Sequence, residues 1–141
     1  MNISEFMSEH HRECDNIYVK AEGLVSEQKW QEANDAFTQA YDNFMLHFDR
    51  EEQTLFPEFE QKTGMDQGPT QMMRSEHMRM KATLEELKES LQNKDKDKFL
   101  GNSEAFMIFV QQHNMKEEQM LYAMMDRIFD TEAQELIAKI S

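Results

Sequence analysis

Apolar residues recur along this chain in four long stretches, each stepping by three and four as one face of a helix does. The first stripe is Met7, His11, Cys14, Tyr18, Ala21 and Val25, and the second is Ala33, Phe37, Ala40, Phe44, His47, Glu51 and Leu55. The third is Met73, His77, Met80, Leu84, Leu87 and Leu91, and the fourth is Phe106, Val110, His113, Glu117, Leu121, Met124 and Ile128. Ser4 suits the N-cap of a first helix running to about Leu24, and Ser26 the cap of a second. Pro57 falls inside the second helix and predicts a kink or the end of its regular part, because it lacks a backbone donor. The segment Thr63-Gly64-Met65-Asp66-Gln67-Gly68-Pro69 is the clearest turn and divides the chain in two. Asn93-Lys94-Asp95-Lys96 is a short polar connection, and Thr131 with Gln134 has the spacing of a capping box opening a last short helix. Short connections imply antiparallel neighbours. The expected fold is therefore all-α: an up-down-up-down antiparallel four-helix bundle with a short C-terminal helix, one domain over residues 1–141.

Composition agrees. Four Gly and two Pro in 141 residues favour long uninterrupted helices, and 39% hydrophobic with 30% charged residues is an ordinary globular balance. A net charge of −13 argues against nucleic acid or an anionic membrane as partner, since both repel it. The lone Cys14 makes no intrachain disulfide, the N-terminus has no basic stretch leading into an apolar run, and no apolar run approaches membrane-spanning length. A soluble, cytoplasmic protein is the expectation.

The stripes carry something a plain core would not. His11, His47, His77, His113, Glu51 and Glu117 all lie on them. Burying a carboxylate without compensation costs several kcal/mol, so such groups are paired or bound to metal. The pattern is also written twice. The interval from His11 to His47 is 36 residues, as is that from His77 to His113, and His47-x-x-x-Glu51-Glu52-Gln53-Thr54-Leu55-Phe56 matches His113-x-x-x-Glu117-Glu118-Gln119-Met120-Leu121-Tyr122. One buried histidine is more often a satisfied core residue than a ligand, and one His-x-x-x-Glu pair alone is weak. Six donors in a repeated register on four converging stripes outweigh that bland reading.

Two helices with an i,i+4 His and Glu on one face can each give a metal one nitrogen and share a carboxylate with a second metal. The other two helices add one imidazole each. Mixed imidazole and carboxylate donors suit Fe, Mn, Zn or Cu, whereas Ca and Mg take oxygen alone. A donor set without Cys makes structural zinc a poorer match.

These residues resemble the hemerythrin-like, or HHE cation-binding, proteins. The resemblance runs from Glu9-His10-His11-Arg12-Glu13-Cys14-Asp15 to Leu121-Tyr122, through His47-Phe48-Asp49-Arg50-Glu51-Glu52, Gly68-Pro69-Thr70, Glu76-His77 and Gln112-His113-Asn114-Met115-Lys116-Glu117-Glu118. It implies a non-haem di-iron centre, two iron ions joined by an oxo or hydroxo bridge, with oxygen-linked chemistry. Carried over, His11 and His47 bind one iron, His77 and His113 the other, and Glu51 and Glu117 bridge them. The chain departs from the oxygen carriers of that family at Met73, where they have a further histidine, and in having Glu117 four rather than five residues after His113. Glu76 or Glu118 is a candidate seventh ligand, although each adjoins a ligand and so points off the stripe. Without that further imidazole, both irons are expected to be similarly unsaturated. The expected function is binding of O2 or a related small oxidant (peroxide, nitric oxide) as sensor, store or scavenger; the alternatives are a di-iron oxidase or peroxidase, or an iron donor for repair of damaged iron centres.

Neighbouring residues have blander readings. His10 is one position from His11, about 100° round the helix, and is expected to be exposed. Cys14 reads as a small buried residue, Met73, Met80 and Met124 as core filler, and Glu52 and Glu118 as a solvated face or hydrogen-bond acceptors. Tyr18, Tyr41 and Tyr122 can offer hydrogen bonds near the site, and spacing assigns none of them.

Overall fold

The computed structural model describes all 141 residues and contains helices only. Helix α1 spans Ile3–Ser26. Trp30–Arg50 passes without a break through a π-helical turn, Glu51–Leu55, into Phe56–Thr63, and together these form α2. Helix α3 is Pro69–Gln92. Lys96–Lys116 likewise runs through a π turn, Glu117–Leu121, into Tyr122–Ile128 to make α4, and α5 is Ala133–Ile140. The predicted all-helical bundle with a short C-terminal helix is what the chain forms. No helix is long and apolar enough to cross a membrane.

The helix ends differ from expectation in instructive ways. The first helix is capped by Asn2, not Ser4: Asn2 Oδ1 accepts from the Glu5 amide at 2.7 Å while Glu5 Oε2 accepts from the Asn2 amide at 3.2 Å. Ser26 caps nothing, because α1 continues through it, and α2 starts at Trp30 after a left-handed Gln28 (φ 58°). No capping box forms at Thr131; α5 begins at Ala133, and the Thr131 hydroxyl donates to the Glu132 carboxylate. Pro57 does not end its helix. The irregularity lies just before it, in the π turn at Glu51–Leu55. Gly64, at φ 73°, ends α2 in the left-handed conformation that glycine adopts without strain.

Two apolar clusters fill the bundle. One gathers Tyr18, Phe37, Phe44, Phe48, Leu84, Leu87, Phe99 and Phe106 toward one end. The other gathers Ile3, Met7, Leu55, Phe56, Phe59, Leu121, Tyr122, Met125 and Phe129 toward the other end, where Leu136 and Ile140 of α5 join it. Between them lies a layer of buried His and Glu.

Candidate metal centre

Each of the four long helices places a histidine in this layer, and α2 and α4 add a glutamate. His11, His47, His77 and His113 are buried, as are Glu51 and Glu117, both fully. The structure brings all six predicted site residues together. Glu51, His77, His113 and Glu117 form one group of donor atoms lying within 4.8 Å of one another, and His11, His47 and Glu117 form a second.

The two carboxylates straddle the groups. Glu117 turns Oε1 toward His11 Nε2 at 2.9 Å and Oε2 toward His113 Nε2 at 3.3 Å and His77 Nε2 at 3.7 Å. Glu51 Oε1 is 3.1 Å from His77 Nε2 and 3.5 Å from His47 Nε2. Of the six buried side-chain polar atoms in the chain with no hydrogen-bond partner, four are Glu51 Oε1, His77 Nε2, His113 Nε2 and Glu117 Oε2. They are close but out of line for hydrogen bonds. Orphaned buried donors of this kind are costly, and their convergence fits a cation held by nitrogen and oxygen.

The outer nitrogens are all engaged. His11 Nδ1 lies 2.7 Å from Glu118 Oε2, His77 Nδ1 2.5 Å from Glu52 Oε2, and His113 Nδ1 2.8 Å from Glu76 Oε1. A carboxylate there accepts a hydrogen bond from Nδ1–H, leaves Nε2 facing inward, and makes the ring a stronger ligand. Glu52 and Glu118, whose repetition in sequence suggested either a solvated face or an acceptor role, serve as acceptors. Glu76 is further held by Lys116 Nζ at 2.7 Å. Neither Glu76 nor Glu118 joins the inner groups.

His47 is the exception. Its Nδ1 lies 2.9 Å from Nδ1 of His10. His10 is therefore buried (5% exposed), contrary to the expectation of an exposed side chain. The inward face of α1 is wider than one stripe, because α1 packs against both α2 and α4. If His47 Nε2 is to face inward as a lone pair, His47 must donate and His10 accept. Burial, with Arg50 and His11 nearby, pushes the His10 imidazole down to about 4 and keeps it neutral for that role. Cys14 fits its bland reading: burial raises the thiol to about 12.

Without a cation the layer balances its charge with protons. Burial works against the charged form of His11 and His77, yet contacts with Glu117 and Glu118 raise His11 to about 9, and contacts with Glu117, Glu51 and Glu52 raise His77 to about 11. His47 is pushed well below the ordinary histidine range by burial and by His11. Glu51 is raised to about 8 by burial and by Glu117 beside it. Glu117 stays well below the carboxylate range despite burial, chiefly because of His113. A metal ion would take over the place of these protons.

The π turns decide what else reaches the layer. A π turn closes its bonds i→i+5, so one residue is added to the turn and the inward stripe slips by one. The Tyr122 amide donates to Glu117 C=O across that turn, as the Phe56 amide does to Glu51 C=O. Beyond it, Tyr122, Met125 and Phe129 are buried, while the expected Met124 and Ile128 are only half-buried. Tyr122 is thereby delivered to the site. Its hydroxyl lies 2.8 Å from Glu51 Oε2, 3.0 Å from Glu117 Oε1, 3.2 Å from His47 Nε2 and 3.3 Å from His11 Nε2. Tyr18 instead bonds Ser103, and Tyr41 bonds Glu85 at the surface. The sequence offered Tyr122 only as one of three tyrosines able to hydrogen-bond near the site, and it placed His10 at the surface. The only written signal for Tyr122 is that it replaces phenylalanine in an otherwise repeated string.

A cleft of about 340 Å³ opens beside the layer between α3 and α4, lined by Pro69, Met72, Met73, Met120, Leu121 and Met124, with Lys116 at its edge. Met73 lies in its wall, one turn from His77.

Residues 2–125 match the hemerythrin HHE cation binding domain. Searches of curated proteins and of solved structures found no match. The match and the buried His and Glu groups together make this a metal-binding protein.

Proposed function

This chain belongs to the hemerythrin HHE cation-binding family, and from that premise we propose that it is a non-haem di-iron protein that binds O2 or a related small oxidant. His11 and His47 would hold one iron and His77 and His113 the other, with Glu51 and Glu117 bridging. The observation that carries this reading is the set of four unpartnered buried atoms on Glu51, His77, His113 and Glu117, together with the way Glu117 turns one oxygen to each histidine pair. Iron, when bound, supplies open coordination positions and one-electron chemistry toward small oxidants.

The chain's own residues do the rest. Glu118, Glu52 and Glu76 hold three imidazoles by their outer nitrogens and so orient the inward ones. Phe44, Phe48 and Val110, buried on one side, and Leu55, Phe56 and Leu121 on the other keep water from the layer. The methionine-lined cleft offers a small apolar molecule a surface close to His77. Residues 1–141 would act as one metal-binding domain within the cytoplasm, with no nucleic acid or membrane partner.

A second reading, redox turnover of peroxide or another oxidant in place of reversible binding, is favoured by Tyr122. An oxidisable phenol in contact with both bridging carboxylates is a poor neighbour for a carrier meant to leave its ligand unchanged. An iron donor for repair of damaged iron centres is supported by no separate feature. Metal analysis of protein purified without added metal, followed by optical spectra with O2, azide and peroxide, tests both readings. Two irons per chain with a stable reversible O2 adduct is the expected result. Rapid consumption of peroxide would replace binding with turnover, and a chain without iron would sink both.

A further inference from the structure

The contacts of Tyr122 exceed what a phenol can use as a hydrogen-bonding group. A phenolic hydroxyl has one proton to donate and a limited capacity to accept. Here four polar atoms stand within 3.3 Å of one oxygen, two carboxylate oxygens and two imidazole nitrogens. Three of the four, His11 Nε2, His47 Nε2 and Glu117 Oε1, belong to the residues of the second donor group, and the fourth is Glu51 Oε2. The hydroxyl thus lies among the atoms that would surround a cation there.

The other half of the layer differs. A shift of 66 residues carries His11 onto His77, His47 onto His113, Glu51 onto Glu117 and Phe56 onto Tyr122. Both aromatic residues follow a π turn, and both are fully buried. Phe56 has no oxygen to offer; it stacks on His77, ring centroids 5.8 Å apart and 15° from parallel. Accordingly the inward atoms on that side have no partner, whereas those on the Tyr122 side do. The same backbone device presents a potential oxygen donor to one position and a hydrocarbon ring to the other.

We propose that Tyr122 is a metal ligand: its phenolate oxygen binds the iron held by His11 and His47, which makes the two iron positions chemically unequal. The assignment rests on the di-iron reading above. The ferric–oxygen bond forms as the phenol O–H bond breaks, and the proton leaves to solvent. No electron is transferred in that step. A ferric ion bound to phenolate absorbs visible light by charge transfer from the ring, and excitation in that band enhances the ring vibrations in the Raman spectrum. A phenol that only donates a hydrogen bond to a carboxylate does neither.

The test loads the full chain with ferrous iron under anaerobic conditions, oxidises it with ferricyanide, and records metal content, visible absorption and resonance Raman. The expected result is two irons per chain, a phenolate charge-transfer band and enhanced tyrosine ring modes. In Tyr122→Phe, which keeps the ring, the band should vanish while both irons remain. The Raman measurement on the unsubstituted protein stands even where that variant folds poorly. Two irons without the ring modes, or a band that persists in a folded Tyr122→Phe protein, overturns the ligand assignment and leaves the di-iron reading intact. Absence of iron from the unsubstituted chain overturns both.

Discussion

The two halves of the buried layer carry the same donors and surround them differently. On the His77 and His113 side, both imidazoles are backed by carboxylates, Glu52 and Glu76, and the inward atoms have no hydrogen-bond partner. On the His11 and His47 side, one backing group is Glu118 and the other is the neutral imidazole of His10, and a phenol touches all the inward atoms. Anionic backing strengthens a histidine ligand, and a neutral acceptor does so less. The repeat in the chain supplies a twofold set of candidate ligands; three exchanges (His10 for Glu76, Phe56 for Tyr122, Cys14 for Met80) remove the equivalence around them.

The largest effect should come from the residue that serves both halves. Glu117→Ala should lose both metals, and His47→Ala should lose at least the first; metal analysis of the folded variants decides, and two irons retained in either would break the proposed ligand set. Removing metal from the unsubstituted protein leaves several buried charges to one another. At a thousandfold excess over Kd, bound metal adds about 4 kcal/mol, and about 2–4 °C per kcal/mol then gives a fall of about 10 °C in Tm. A chelator-treated sample in a calorimeter checks this.

The two forms should also respond to pH in opposite ways. In the metal-free protein His11 and His77 are raised above 6.5, to about 9 and about 11, so their contribution to stability is whole below pH 6.5 and is lost as pH rises through those values. Glu51, raised from 4.5 to about 8, acts in the same direction across that interval. Glu117, lowered, contributes above pH 4.5 and loses that contribution in acid. Metal-free protein should therefore melt at lower temperature at pH 10 than at pH 7. Metal uptake must displace the histidine protons, so it should acidify a weakly buffered solution, and affinity should fall by about tenfold for each unit drop in pH per proton released. A pH-independent affinity between pH 6 and 9 would contradict the protonation pattern.

Smaller changes probe the backing groups. Glu76→Gln should weaken the second position by about 10–100-fold, and His10→Gln should weaken the first by less, because it removes no anion. Equal losses would erase the distinction between the halves. Lys116→Ala should matter least: its ion pair with Glu76 is 45% exposed on the lysine side, and such pairs contribute under about 1 kcal/mol.

Much of this was readable in the chain because helical period and donor repeat coincide. The four stripes placed His11, His47, His77, His113, Glu51 and Glu117 inward, and the structure gathers all six. What the stripes did not carry is the change of period at Glu51–Leu55 and Glu117–Leu121. A regular helix would send Met124 and Ile128 inward; the π turn sends Tyr122, Met125 and Phe129 instead, and so hides a site residue from any count by threes and fours. His10 was expected at the surface and is buried for another reason. Its burial depends on how closely α1 packs on its neighbours, which no single-helix pattern contains. The first cap moved from Ser4 to Asn2 because both side chains could serve, and the second helix starts later than expected because α1 continues through Ser26.

We propose a pair of metals bridged by Glu51 and Glu117 in unequal surroundings. Anomalous diffraction at the iron edge from crystals of the iron-loaded chain measures it directly. Two peaks are predicted, one among Glu51, His77, His113 and Glu117 and one among His11, His47, Glu117 and Tyr122. A single peak, or none within this layer, would contradict the account.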